Sequence, residues 1–244
     1  MGLFNKIFGQ SDQQKPETNQ QQQPEQKPCK TEQELLEHYG GIALDKQMDF
    51  GEVIGDNNWN VNIQQGTISF GEDLVFPIQV LGTFSHSSQT WLWAWANTQS
   101  GLPESIMQQA LQLKKYGEEN GIDLLSSNTF DFSADELHLM GMIASGMFNA
   151  SGYYIADYGQ GAMVVTMKSD VIDKARNTDH IRVLTAFPQL ISQFDMDHKN
   201  AFKSYLTFKG YQVTEKENSI EGTKDGNSVT GEFDDLSRLI NLKG

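Results

Sequence analysis

Cysteine is almost absent from this chain. A single one, Cys29, occurs in 244 residues, so no intrachain disulfide can form, and a reducing, cytoplasmic setting is expected rather than a disulfide-built secreted one. Long apolar runs are missing as well, and no stretch approaches the roughly 20 residues that cross a bilayer as a helix. The opening MGLFNKIFG has neither the extended apolar core nor the small-residue cleavage site of a secretory leader. It also carries Lys6 where N-myristoylation wants serine or threonine. Positive charge is scarce: 18 Lys and Arg stand against 32 Asp and Glu, a formal net charge of -14. No cation falls between Lys46 and Lys114, a span that holds Asp49, Glu52, Asp56, Glu72, Asp73 and Glu104. Binding to phosphate backbones or anionic headgroups needs cations, so nucleic acid is excluded as a partner, whereas a basic protein partner would suit so acidic a body. The P-loop, HExxH, CxxC and GxSxG signatures are absent too, and no cofactor or metal site is expected.

What is present centres on Phe76–Asn97, FPIQVLGTFSHSSQTWLWAWAN, which holds three of the four tryptophans. Side chains alternate across a strand, so Trp91, Trp93 and Trp95 are expected on one face and Leu92, Ala94 and Ala96 on the other. Exposed, the indoles would form a flat platform for a sugar or peptide. Buried, each removes about 150–250 Å² from water. The apolar reverse face favours core, with Asn97 and the turn around His86 marking the rim.

Residues 1–31 read as an amphipathic N-terminal peptide (Leu3, Phe4, Ile7 and Phe8 at helical spacing) followed by a Gln/Pro-rich segment without aliphatic or aromatic residues. Such a composition cannot offset the entropy of ordering and is expected to be disordered. Residues 1–9 thus become a tethered segment that either docks, on a partner or a membrane surface, or folds back on its own domain. Residues 32–244 read as one domain, with 209–244 a possible C-terminal subunit. It opens with the capping pattern Thr31-x-x-Glu34 and a helix interrupted or kinked at Gly40-Gly41. Four strands follow, near Trp59–Ile63, Thr67–Phe70, Leu74–Phe84 and Thr90–Ala96, joined by turns too short for a crossover. Pro77 in the third suggests an edge or a bulge. Helices are expected after Pro103, ending at Gly117; after Ser133, with Gly141 and Ala144 allowing close approach to the sheet; after Thr178, broken or kinked at Pro188; and after Asp197. A hairpin is expected over Tyr153–Met167. Strands near Tyr211–Glu215, Ser219–Thr223 and Ser228–Phe233, then a short helix with Leu236, Leu239 and Ile240, complete the chain. The fold class is therefore α+β: an antiparallel sheet built from hairpins and a four-strand meander, covered by several amphipathic helices.

The words KQMDF (Lys46–Phe50), QVLGTFS (Gln79–Ser85) and WLWAWAN (Trp91–Asn97), followed by SGLPE, resemble an uncharacterised bacterial family catalogued as a domain of unknown function. The resemblance spans roughly residues 35–195 and implies no activity, cofactor or catalytic residue.

Candidate sites come from the residues alone. His86 sits in a serine-flanked turn before the tryptophan strand, where an imidazole can do general acid–base work. Asp56 and Tyr154 are possible companions, and the same residues are equally ordinary turn and hairpin positions. Trp91, Trp93, Trp95, Asn97 and Asp157 are candidates for ligand contact. Asp195-Met196-Asp197-His198 is the densest group of metal-type donors, but helix capping explains it more simply. Two functions stay open. The first is a non-catalytic binding or regulatory domain recognising a protein partner or small ligand. The second is a hydrolase-type enzyme with a pocket at the rim of the Trp91–Trp95 strand.

Overall fold

The structure is a computed structural model that describes residues 28–244. The Met1–Gly9 stripe and the glutamine-rich segment through residue 27 lie outside the described residues. Helix α1 (Glu32–Ile54) starts where the Thr31 hydroxyl accepts a hydrogen bond from the Glu34 amide at 3.1 Å. It runs unbroken through Gly40-Gly41, contrary to the expected interruption. Packing accounts for the glycines, because a Cβ on Gly41 would stand 2.5 Å from the Tyr205 Cβ. The pair is small so that another helix can cross there.

The strands β1 (Trp59–Asn62), β2 (Thr67–Phe70), β3 (Leu74–Ser85) and β4 (Thr90–Trp93) form the expected antiparallel meander. Strand β5 (Thr129–Asp131) extends it beyond β4. The hairpin of β6 (Gly152–Asp157) and β7 (Gly161–Met167) joins through β7, which pairs antiparallel with β3. Pro77 stands one residue before that ladder begins at Ile78, and the register shift comes between Val80 and Gly82. The tryptophan strand is shorter than expected. After Trp93 the chain turns, with the amides of Ala96 and Asn97 both donating to the Trp93 carbonyl at 3.0 Å. Alternation therefore places Trp91 and Trp93 on one face, whereas Trp95 belongs to the turn and stacks on Trp93 at 6.4 Å between ring centroids.

Helix α2 (Gln108–Asn120) follows a single 3-10 turn and is succeeded by the one-turn α3 (Asp123–Ser126). α2 does not stop at Gly117, whose position is packed against Leu125, but at Gly121, in the left-handed region at φ 73. Helix α4 (Leu137–Met147) presses Gly141 against the Tyr153 ring of β6, the close approach foreseen from the sequence. Helix α5 (Asp170–Lys174) precedes α6 (Ile181–Gln193), which passes through Pro188 without ending. Its first amide, Ile181, is held by the Asp179 carboxylate at 3.0 Å, so Thr178 is not the cap. Helix α7 (His198–Phe208) is capped by Asp197 as expected.

A second antiparallel sheet follows: β8 (Gln212–Lys216), β9 (Ser219–Lys224), β10 (Asn227–Phe233) and β11 (Leu239–Lys243), in the order β11-β10-β9-β8. The expected terminal helix is replaced by β11. The Asp234 carboxylate accepts the amides of Leu236 and Arg238, each at 2.9 Å, and builds a tight turn with Ser237 at φ 60. That turn sends the chain back along β10.

The architecture is thus α+β, with two antiparallel sheets and helices packed on them. One apolar core lies at the seven-stranded sheet around Phe84, Trp91, Trp93 and Val165. The other lies at the four-stranded sheet around Phe187, Phe202, Tyr205 and Ile220. Helix α1 serves both, giving Leu35, Phe50 and Ile54 to the first and Leu36, Ala43 and Leu44 to the second. A helix buried on opposite sides has little room for charge, which makes its charged stripe informative.

Candidate functional site

Trp91 and Trp93 are completely buried, and the Trp93 indole N–H donates to the Leu124 carbonyl at 3.1 Å. Trp95 is half-buried beneath the Lys114 ammonium, 4.3 Å from the ring centroid. Asn97 is also half-buried and caps its own turn, accepting from the Ser100 amide at 3.2 Å. Tyr154 leans on Phe70 with ring centroids 4.9 Å apart, and its phenol pKa is raised by burial. Asp56 is exposed in the turn after α1. Asp197 and His198 are occupied structurally: one caps α7, and the other accepts the Leu239 amide at 3.0 Å. Among the described residues, no group of three or more His, Cys, Asp or Glu is placed to hold a metal ion. Cys29 is half-buried, its carbonyl accepting from Tyr116 at 3.2 Å, and burial with nearby Glu34 raises its thiol pKa.

Two of the sequence candidates do meet. His86 Nε2 lies 3.0 Å from Asp157 Oδ2, joining the end of β3 to the end of β6. The Gly159 amide, first, and then the imidazole hold the Asp157 carboxyl below its ordinary pKa. Both side chains are substantially exposed, at 34% and 54%. The nearest hydroxyls pair elsewhere, Ser85 with Ser87 at 3.1 Å and Ser88 with Thr90 at 2.6 Å.

A more developed site lies on the other side of the molecule's central helix. His38, Ile42, Asp45, Lys46 and Asp49 recur at three- and four-residue spacing and share one face of α1. They border two adjoining hollows of about 170 and 420 Å³, and Ile42, Lys46, Arg176 and Phe208 line both. The smaller lobe is closed by Lys209 at the end of α7, Lys224 at the end of β9 and the Arg176–Thr178 loop between α5 and α6. The larger lobe is walled by Tyr39, Met147 and Phe208, with Asn149 at its margin.

The floor is a buried ion network. Arg182, in the first turn of α6, donates to Asp49 at 2.8 Å and to Glu52 at 3.2 Å. Lys209 pairs with the other buried carboxylate, Asp45. The Asn177 amide reaches Asp49 Oδ2 at 3.3 Å and ties down the loop, while Lys224 donates to the Lys209 carbonyl at 2.7 Å. Burial raises the Asp49 pKa in spite of Arg182. Burial first, and then Asp45, push the Tyr205 phenol well above its usual value. Asp45 Oδ1 and the Tyr205 hydroxyl are buried without completing a hydrogen bond.

Lys46 stands apart in this network. It is 5% exposed, yet among the described residues no carboxylate oxygen lies within ion-pair distance of its ammonium, whose hydrogen bonds go to neutral acceptors. Its Nζ donates to Asn149 Oδ1 at 2.6 Å and to the Ala150 carbonyl at 3.0 Å. Burial, then repulsion from Arg176 and Lys168, bring its pKa down to about 8. Arg176 and Lys168 share Asp173, at 2.9 and 2.7 Å. Among the described residues that line the two lobes, Lys46, Arg176, Lys209 and Lys224 stand against Asp45 and Asp49. A cleft with surplus positive charge, set in a chain of net charge -14, favours a negatively charged occupant. Sequence patterning does not reveal this site, because Arg176, Lys209 and Lys224 come from distant segments. The one local signal is the Asp45-Lys46-x-x-Asp49 stripe on a helix buried on two sides.

Comparison with known proteins adds a family without a chemistry. The model of a family described as "Family of unknown function (DUF6882)" matches residues 33–170. That span covers α1 through the start of α5, including Lys46 and the seven-stranded sheet. No curated protein matches the chain. No solved structure matches it either.

Proposed function

We propose, for a chain that belongs to the DUF6882 family of unknown function, a non-catalytic binding domain whose cleft beside α1 recognises a small anionic ligand. The observation that carries this reading is Lys46: a buried ammonium bordering the cleft with no carboxylate partner among the described residues. An uncompensated buried cation is costly to keep, and a bound anion would supply the missing charge. Arg176, Lys209 and Lys224 add donors suited to carboxylate or phosphate oxygens. The side chains of Tyr39, Ile42, Met147 and Phe208 in the larger lobe suit an organic body attached to the anionic group. The solitary thiol fits a reducing cytoplasm, in keeping with the bacterial family the sequence words resemble. The acidic exterior leaves room for a basic protein partner as a second contact.

Phenyl phosphate combines both features and serves as the probe. Isothermal titration of the full chain should give saturable one-to-one binding, weakened about tenfold by Arg176→Ala, an exposed position whose charge supports the anion. Equal affinity for the wild-type protein and the variant, or no binding to either, would remove this reading.

The hydrolase alternative keeps one supporting observation, the 3.0 Å His86–Asp157 pair. In that case an ester such as p-nitrophenyl acetate is turned over and His86→Ala abolishes the turnover. Turnover indifferent to His86→Ala would end that alternative.

A further inference from the structure

The Lys46 nitrogen is arranged for more than charge. Its two hydrogen-bond acceptors, Asn149 Oδ1 and the Ala150 carbonyl, occupy two of its three substituent positions. The third has no partner among the described residues, and the residue borders both lobes of the cleft. When the group is charged, that third position carries a proton. When it is neutral, the same position carries the lone pair, while the two acceptors still hold the remaining N–H bonds. A desolvated lysine beside other cations is the arrangement that makes an amine nucleophilic near neutral pH. The charged groups acting on it are Asp45 on α1, Lys168 after β7, Asp173 on α5 and Arg176 in the loop after α5, and Asp49 and Lys209 line the same cleft.

We propose that Lys46 captures the carbonyl carbon of a small anionic aldehyde or keto acid as an imine, the anionic group being held by Arg176, Lys209 and Lys224. This rests on the anion-binding reading above and adds to it the reactive group of the ligand. The ammonium first releases a proton to solvent. The amine lone pair then forms a C–N bond to the carbonyl carbon, giving a carbinolamine. Loss of the former carbonyl oxygen as water, together with the nitrogen's two protons, leaves the C=N bond. The step needs no oxidant or reductant and is reversible. Lys46 thereby exchanges an unpaired buried cation for a linkage whose attached anion faces the surplus positive charge.

The test uses the full chain with pyridoxal 5′-phosphate as the anionic aldehyde, trapping with borohydride and mapping the modified lysines by mass spectrometry. Near neutral pH, Lys46 should label at least about tenfold faster than the exposed Lys115, because a larger fraction of it is neutral. Pyridoxal, which lacks the phosphate, should lose that selectivity, inorganic phosphate should suppress it, and Arg176→Ala should weaken it. Labelling of Lys46 no faster than Lys115, or selectivity indifferent to the phosphate, overturns the proposal. Phenyl phosphate binding on the same preparation separates the two levels. Binding without selective labelling defeats the imine alone; absence of both defeats the imine and the anion site together.

Discussion

At the scale of single residues, Lys46 is where the structure departs furthest from ordinary solvation. A lysine whose folded-state pKa is lowered to about 8 from 10.5 makes stability depend on pH in a definite direction. Below the folded value, both states are protonated, and the folded state bears the full cost of the buried charge. Between the two values the unfolded chain binds a proton that the folded chain does not, so stability rises with pH across that window. Lys46→Met removes the titration. The unfolding free energy of the wild-type protein minus that of the variant should therefore grow between about pH 8 and pH 10.5, measured by denaturant melts at each pH. A difference that stays flat over this range would mean Lys46 is better solvated than its surroundings imply. The tryptophans illustrate the opposite situation. Trp91 and Trp93 were recognisable as core because both faces of their strand are apolar, and no partner in the rest of the chain had to be known. Lys46 was not recognisable, because its isolation from carboxylates is a fact about Asn149, Ala150 and Arg176, which reach it only through the fold.

At the scale of elements, α1 is the part on which both sheets depend. Its glycines differ sharply in what surrounds them. Gly41 meets Tyr205 at 2.5 Å if a Cβ is added, whereas nothing lies within 4 Å of a Cβ built on Gly51. Both are helical, so the backbone effect alone favours alanine at each by about 0.5–1 kcal/mol. Gly51→Ala should gain approximately that amount in a urea melt. Gly41→Ala should instead lose about 1–3 kcal/mol, because overpacking against α7 outweighs the helix-propensity gain. Two variants with the same sign would contradict the packing of α1 on α7. The same helix shows why the sequence misled at Gly40-Gly41. A glycine pair that ends a helix and one that admits a neighbour are written identically, and only the crossing partner distinguishes them. The Asp234–Arg238 segment is a similar case. Leu236, Leu239 and Ile240 have helical spacing, but the Asp234 side chain competes for the local amides and turns the chain into a strand. Capping at Thr31 and Asp197 and the β1–β4 meander were legible because each is decided within a few residues.

At the scale of the whole molecule, charge is segregated rather than merely acidic. The span from Lys46 to Lys114 carries no intervening cation, and cations from its two flanks converge on the cleft. Arg182 binds α6 to α1 through Asp49 and Glu52, and Lys209 binds α7 to α1 through Asp45. Asp45 and Asp49, the carboxylates that line the cleft beside Lys46, are thus each paired with another cation. Net charge and composition describe an average potential that disfavours anions, yet an average conceals a local reversal of sign. That reversal is the central claim, and the Lys46 ammonium itself reports on it most directly. The measurement is the titration of the Lys46 side-chain nitrogen by NMR, with and without saturating phenyl phosphate. An anion bound beside it should raise its midpoint from about 8 by about one unit or more, as an opposite charge at contact distance does. A midpoint unmoved by the ligand would contradict an anion site at this cleft.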